Sequence, residues 1–376
     1  MRKIQMVDTK NQYLAIKKEV DESIQAVLDS ASYINGKSVH DFSQSLASYL
    51  QVAHVIPCAN GTDALQIAMM ALGLQPGDEV ITPSFTYIAT TEVVALLGLT
   101  PVFVDVDPVT YCMDIASLKK AITPKTKAIV PVHLYGHAAP MAEILQIAQE
   151  HNLFVIEDNA QAIGCDYTFP NGETKKTGTM GHIGATSFYP SKNLGAFGDG
   201  GALFTNDKAL ADKMTMIANH GQSARYYHDV VGCNSRLDSI QAAILNIKLQ
   251  KLDSYNSARN QVAQFYNQAF ADIKQIIIPA VNKYSTHVYH QYTIQLVEVD
   301  REKFIKHLAD LEIPCMIYYP VPGHLQKMFG EGKNVHLDLP VTNSLTPVVC
   351  SLPIHTEMEE AQLKHIASGV NSFFNA

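Results

Sequence analysis

Ser187-Phe-Tyr-Pro-Ser-Lys192-Asn-Leu-Gly195-Ala-Phe-Gly198-Asp-Gly200-Gly201 is the stretch that decides how the rest of the chain is read. The apolar run from Ile183 to Phe188 has the character of a buried strand and stops at Pro190. One lysine follows, then four glycines within seven residues, then a second strand from Ala202 to Thr205. Glycines this dense allow positive φ and a close approach of backbone to a ligand. A lysine held in such a loop between two strands is poorly placed to be a solvated charge. Once buried, its ammonium loses proton affinity, and the amine becomes a nucleophile able to form a Schiff base. A solvated loop lysine fits the same stretch taken alone, so the choice rests on the flanking sequence.

Upstream, strands alternate with helices. His54–Cys58 reads as a strand that ends in Ala59-Asn-Gly-Thr-Asp63, with a helix from Ala64 to Leu72. A strand, a glycine turn and a helix N-terminus offer free N–H groups and the positive end of the helix dipole to an anion. An ordinary βα turn with Asp63 near the cap is the alternative. Strands at Glu79–Pro83, Pro101–Val104, Ala128–Val132 and Phe154–Glu157 interleave with helices at Tyr87–Leu97, Asp114–Ala121 and Met141–His151. Short strands apolar on both faces imply a parallel sheet covered on both sides. Ligands of such sheets bind past the carboxyl ends of the strands, where Gly61, Phe85, Tyr87, His133 and Asp158 fall. Asp158 closes the run Phe-Val-Ile-Glu; a carboxylate there is costly unless paired with a cation, or else serves as a helix cap.

The remaining segments fill in the outline. Residues 9 to 29 carry apolar positions at helical spacing, and a second helix is expected from Val39 to Tyr49 with Ser38 as its N-cap. The polar excursion at 166–180 reads as an exposed hairpin. After a helix at Lys208–Ala218, the segment from His220 to Cys233 is rich in polar and aromatic residues and looks like a contact loop; a long helix then runs from Asn234 to about Phe270. Strands at Val288–Val297, Cys315–Tyr318 and Val348–Leu352, with helices at Arg301–Leu311 and Glu359–Phe373, make a small C-terminal α+β unit; 330–346 is irregular. Two domains are therefore expected, 1–250 and 251–376.

Composition narrows the function classes. The chain has 376 residues, 47% apolar and 17% charged, with a net charge of −8, so no basic surface argues for nucleic acid. No apolar run has membrane-spanning length and the N-terminus has no apolar signal core, so a cytoplasmic protein without membrane association is expected. Six scattered cysteines without a CxxC pair suit reduced thiols, and neither they nor the 15 histidines show metal-ligand spacing.

Taken in order, the phosphate-type turn at Gly61-Thr62-Asp63, the aromatic Tyr87, the strand-end Asp158 and Ser187, and Lys192 in its glycine loop are the parts that a pyridoxal phosphate site needs. A lysine forms the Schiff base, an aspartate keeps the pyridine nitrogen protonated, an aromatic covers the ring, and N–H groups with hydroxyls hold the phosphate. The chain resembles the DegT/DnrJ/EryC1/StrS family of PLP-dependent nucleotide-sugar aminotransferases, of fold type I. The resemblance is carried by Ala59-Asn-Gly-Thr-Asp-Ala-Leu65, Pro83-Ser-Phe-Thr-Tyr-Ile-Ala-Thr90, Val155-Ile-Glu-Asp-Asn-Ala-Gln161, Ser187-Phe-Tyr-Pro-Ser-Lys-Asn193, Gly198-Asp-Gly-Gly201, Gly232-Cys-Asn-Ser-Arg-Leu-Asp238 and Tyr318-Tyr-Pro320.

This resemblance implies a large domain with a mainly parallel seven-stranded sheet and a smaller α+β domain. Lys192 would be the catalytic lysine, Asp158 would pair with the pyridine nitrogen, Gln161 would bond the ring hydroxyl and Tyr87 would stack on the ring. Gly61, Thr62, Asp63 and Ser187 would hold the phosphate, and Asn234 would reach it from a second subunit of a homodimer. A lysine at 192, where some relatives have histidine and act as dehydratases, favours transamination. L-Glutamate would be the amino donor, pyridoxamine phosphate the intermediate form of the cofactor, and a nucleotide-linked keto sugar the acceptor. The wording around His220-Gly-Gln222 and Asn234-Ser-Arg-Leu-Asp238 is similar to members that aminate C3 of a UDP-2-acetamido-3-keto-glucuronate for bacterial surface polysaccharides. Arg225, Arg236, Tyr318 and His324 are the expected substrate contacts. Tyr318-Tyr319 in place of His-Tyr, and His324-Leu-Gln326, keep a dTDP-3-keto- or 4-keto-6-deoxyhexose open as the alternative. A PLP lyase of the same fold type or a PLP-sensing regulator are the rival classes; nothing helix-turn-helix-like precedes residue 50.

Overall fold

A computed structural model describes residues 1–330 and 337–375. Its centre is a sheet of seven strands: β1 (His54–Cys58), β2 (Glu79–Pro83), β3 (Thr100–Val104), β4 (Thr126–Ile129), β5 (Phe154–Asp158), β6 (Ile183–Ser187) and β7 (Gly201–Thr205). They lie in the order β1-β7-β6-β5-β4-β2-β3. β7 runs antiparallel to both its neighbours, while β6, β5, β4, β2 and β3 pair in parallel. Alternate residues of each strand feed opposite cores, as the period of two requires. Val80, Ile156 and Leu203 pack with the helices Gly61–Ala71 and Lys208–Ala218. Ile81, Val104 and Val155 pack with the helix Met141–His151, and Ala202 and Phe204 with the helices Lys37–Leu50 and Ser239–Leu249. The doubly covered, mainly parallel sheet is as the sequence implied.

Beyond the sheet, several expectations need correction. The first helical stretch is two helices, Thr9–Ala15 and Lys17–Ser30, broken at Ile16. Ile16 turns inward and is buried beside Val20 and Ile244. Ser38 does not cap the second helix: Gly36 holds the N-cap position, and Ser38 Oγ donates to the Ser239 carbonyl at 2.8 Å. The long helix from Asn234 divides into Ser239–Leu249 and Leu252–Phe270, with Asn234 to Asp238 outside it. The polar excursion is a hairpin of Asp166–Thr168 with Thr174–Lys176, and the contact loop holds a second small hairpin, Gln222–Ala224 with Tyr227–His228.

The C-terminal unit is a three-stranded antiparallel sheet, Ile276–Ile277, Tyr292–Leu296 and Val349–Leu352. Helices Arg301–Asp310 and Glu360–Phe374 cover it around a core that includes Phe304, Ile366 and Val370. The strand expected at Cys315–Tyr318 is a single bridge, Met316 to Ser351, because the chain turns away at Tyr318-Tyr319-Pro320. The irregular stretch at 330–346 lies in part outside the described residues; its end forms a short helix, Pro340–Leu345. The first residues of the chain pack here too. Ile4 is buried in this core and Arg2 pairs with Glu359 at 2.7 Å.

Candidate active site

The carboxyl ends of β5 and β6 and the turn after β1 form one rim. Cys58, Gly201 and Ser187 occupy one row across β1, β7 and β6. The row brings the turn before the helix Gly61–Ala71 against the end of β6. A Cβ on Gly61 would lie 2.7 Å from the Cβ of Ser187, and one on Gly201 would lie 2.4 Å from the Asn60 carbonyl carbon, so only glycine fits at either place. Asn60 caps the helix, its Oδ1 accepting from the Asp63 N–H at 2.8 Å. The N–H groups of Gly61 and Thr62 have no acceptor among the described residues, and Ser187 Oγ stands beside them. Thr62 and Asp63 are half-buried. Free N–H groups, a helix N-terminus and a hydroxyl are the donor set that a phosphate dianion takes.

Asp158 is 6% exposed at the end of β5. Its carboxylate accepts from Thr90 Oγ1 at 2.8 Å and from the Ala160 N–H at 3.1 Å. Lys192 is half-buried in the loop between β6 and β7. Burial pulls its ammonium down to about 8, against the opposing pull of the nearby Asp158 carboxylate. No hydrogen bond or ion pair holds the amine among the described residues. The loop beneath it is fixed: the Lys192 N–H donates to the Tyr189 carbonyl at 2.8 Å, and Asn193 Nδ2 donates to Asn256 Oδ1 and to the Val288 carbonyl, each at 2.8 Å.

Tyr87 is 56% exposed and its ring centroid lies 6.0 Å from that of Tyr319. Gln161 is buried; its Oε1 accepts from the Tyr135 N–H at 2.8 Å and its Nε2 donates to the Tyr319 hydroxyl at 2.9 Å. Burial holds the Tyr319 phenol well above its ordinary proton affinity, so it keeps a proton to donate. Tyr135 also donates from its hydroxyl to the Tyr318 carbonyl, which ties the turn at 318–320 to the large sheet. Tyr319 and Thr90 were not singled out from the sequence. The available signals were the Tyr-Tyr-Pro turn and the Thr90 that closes the quoted segment from Pro83.

Four expected site residues lie outside this cluster. Arg225 is exposed and stacks on its neighbour Tyr226, 5.2 Å from the ring centroid. Arg236 is half-buried and donates to Asn219 Oδ1 at 3.1 Å. Asn234 is exposed and its side chain makes no hydrogen bond among the described residues, although Ser235 next to it accepts from the Ala59 N–H at 3.0 Å beside the glycine turn. His324 lies inside the fold. It is 3% exposed, its Nδ1 lies 2.7 Å from Ser84 Oγ, and burial lowers its proton affinity. Tyr318 is half-buried beside Tyr319.

Behind Asp158, on the opposite face of β5, Glu157 is fully buried. It accepts from His133 Nε2 at 2.8 Å, from the Gly178 N–H at 2.8 Å and from the Met180 and Gly181 N–H groups at 2.6 Å each. The Ala139 N–H donates to His133 Nδ1 at 3.1 Å, which leaves the His133 proton on Nε2. Four donors satisfy this carboxylate, so it supports the strand end and is not free for chemistry.

A seven-stranded α/β fold with a lysine loop, a strand-end aspartate and a phosphate-type cradle on one rim defines an α/β transferase of the aminotransferase kind. The chain belongs to the DegT/DnrJ/EryC1/StrS aminotransferase family, whose model matches residues 14–371. It is 46% identical to a UDP-N-acetyl-3-dehydro-alpha-D-glucosamine 3-aminotransferase of Acidithiobacillus ferrooxidans, over 97% of this chain and 96% of that one. It is 44% identical to the UDP-2-acetamido-2-deoxy-3-oxo-D-glucuronate aminotransferase of Pseudomonas aeruginosa, over 98% and 100%. Its structure matches that of S. venezuelae DesV in complex with a ketimine intermediate, with a TM-score of 0.95, 38% identity and 100% of both chains covered. NtdA from Bacillus subtilis with bound cofactor PMP matches with a TM-score of 0.91 and 30% identity, over 100% and 86%.

Proposed function

We propose that this aminotransferase carries pyridoxal phosphate at the rim described above and moves an amino group from L-glutamate to C3 of a UDP-linked 2-acetamido-3-keto sugar, of the glucuronate type, for bacterial surface polysaccharide. The observation that carries the cofactor reading is a half-buried Lys192 amine, without a hydrogen bond or ion pair among the described residues and lowered in proton affinity by burial, close enough to the strand-end Asp158 for that carboxylate to act on its charge. The sugar rests on the names of the two relatives at 46% and 44% identity, both 3-aminotransferases of UDP-linked 2-acetamido-3-keto sugars.

The residues present fit the cofactor. The free N–H groups of Gly61 and Thr62 with Ser187 Oγ would take the phosphate, and the glycines at 61 and 201 keep that cradle open. Asp158 Oδ atoms would hold a proton on the pyridine nitrogen, while Thr90 fixes the carboxylate. Gln161 and Tyr319 would line the ring edge, and Tyr87 would cover its face. The bound cofactor supplies an aldehyde carbon that takes the amino group and a ring that accepts electron density. Lys192 Nζ, whose proton affinity burial lowers, would accept the donor's α-proton and deliver it in the second half of the transfer. Donor and sugar use this one amine in turn, so ping-pong kinetics are expected. Asn234, exposed and with no side-chain hydrogen bond among the described residues, would complete the phosphate site from the second subunit of a homodimer, and Arg236 would meet a sugar carboxylate.

An absorbance titration tests this. The holoenzyme is converted to its amine form with L-glutamate, freed of glutamate, and offered keto-sugar nucleotides singly. Return of the aldehyde-form band with the UDP-3-keto uronate is the expected result. Return only with the 6-hydroxymethyl congener would remove the carboxylate role of Arg236, and return only with a dTDP-keto-6-deoxyhexose would replace the nucleotide as well. No response to glutamate would refute the donor assignment.

A further inference from the structure

Lys248, on the helix Ser239–Leu249, is 1% exposed. Its amine donates to one oxygen, the carbonyl of Gly195, and stands 5.4 Å from the ring centroid of Phe197. No carboxylate pairs with it among the described residues; burial and the neighbouring Arg259 cation bring it down to about 7. A buried amine with a single acceptor costs stability, and a methionine of similar volume would fill the same space without that cost. The cost points to a role other than packing.

The contacts of Lys248 indicate that role. Gly195 and Phe197 belong to the loop that carries Lys192. That loop is wound tightly on itself: the Ala196 N–H donates to the Phe188 carbonyl at 2.7 Å, and a Cβ on Gly195 would meet the Pro190 carbonyl oxygen at 2.4 Å. A shift at Gly195 must therefore move Pro190 and, with it, the turn at Tyr189–Lys192. The same helix grips the loop a second time, where Gln241 Oε1 accepts from the Phe197 N–H at 2.9 Å. Gln241 and Lys248 are two helical turns apart and lie on one face. The loop is thus held at two points by a rigid element.

We propose that Lys248 is a positioning residue: by donating to the Gly195 carbonyl it sets the glycine-rich loop so that the Lys192 amine points to where it exchanges protons. Both the ammonium and the neutral amine can donate, so the contact persists through the titration of Lys248. The proposal rests on the reading of Lys192 as the reacting amine.

The test uses the full-length holoenzyme with wild type, K248M, K248R and K192A. K248M is expected to fold and bind cofactor, with kcat reduced ten-fold or more and the KM for the amino donor within two-fold of wild type. In cofactor-free protein, competitive acetylation traced to the Lys192 peptide by mass spectrometry should differ at least three-fold between K248M and wild type at pH 8. K248R, which keeps a donor, should recover most of both. Wild-type kcat and wild-type Lys192 labelling in K248M overturn the proposal, as does a loss of activity that only tracks the unfolded fraction. K248Q, shorter but still polar, repeats both measurements if K248M does not fold, and the same wild-type values overturn the proposal there. Full activity in K192A would instead overturn the reading of Lys192 itself.

Discussion

At the scale of single residues, the proposed chemistry depends on two charges held at unequal cost. Asp158 is buried with two hydrogen-bond donors, and the Lys192 amine is half-buried with no acceptor among the described residues. Asp158→Asn leaves the Thr90 contact available but removes the charge that would hold the ring proton. It should lower kcat about 100-fold or more, roughly 2.7 kcal/mol of barrier, with little change in the melting curve; steady-state kinetics beside thermal unfolding separate the two effects. Lys192 also gives a pH signature. Folding lowers its proton affinity from the ordinary 10.5 to about 8, so between those values the unfolded chain holds the proton more tightly. This group's contribution to the stability of the cofactor-free protein therefore rises with pH across that window. Lys192→Met removes the penalty: the variant should melt above wild type at pH 7, and the gap should close by about pH 10.5. A calorimetric pH series checks both the sign and the window.

At the scale of elements, the helix N-terminus at Gly61 and the end of β6 share one contact, and its tolerance is measurable. Gly61→Ala must push Ser187 or the helix aside, since the added Cβ would sit 2.7 Å from the Ser187 Cβ. Cofactor affinity should fall about ten-fold or more while far-ultraviolet circular dichroism is unchanged, as a fluorescence titration of the cofactor would report. The elements themselves were legible in proportion to how locally they are encoded. The strands of the sheet and the helices Met141–His151 and Lys208–Ala218 announce themselves through apolar runs, turn residues and caps. Ile16 breaks the first helical stretch because of what it packs against, and Cys315 to Tyr318 fails as a strand because its partner strand offers one bridge; neither cause is local in sequence. The site divides in the same way. Asp158, Lys192 and the glycine turn carry their own sequence marks, whereas Thr90, Tyr319 and the Glu157–His133 pair owe their places to contacts between distant segments. Glu157 is a case where the fold gives the meaning: Glu157→Gln puts an amide donor among four donors and should cost about 2–4 kcal/mol in a urea titration.

At the scale of the whole molecule, the proposed site is shared between two copies of the chain, and a mixing experiment distinguishes this from a self-contained monomer. Lys192→Ala and Asn234→Ala are each expected to be severely impaired. After mixing and exchange, half of the dimers would pair one variant with the other, each with one intact site of two, so about a quarter of wild-type activity should return. Sites complete within one chain would return none. The architecture also constrains the order of events as the protein is made. β1 touches a single neighbour in the sheet, β7, which lies some 150 positions later in the chain. When synthesis has reached only Ser187, β1 has no strand to pair with, however complete β2 to β6 already are, and the glycine turn that follows it has only the end of β6 to rest on. The chain must pass through the lysine loop and lay down β7 before β1 is paired and Gly201 is in place against Asn60 in the proposed phosphate cradle. The proposed site therefore cannot be complete before residue 205 of the 376 has been made, and a chain released before β7 lacks part of its phosphate cradle.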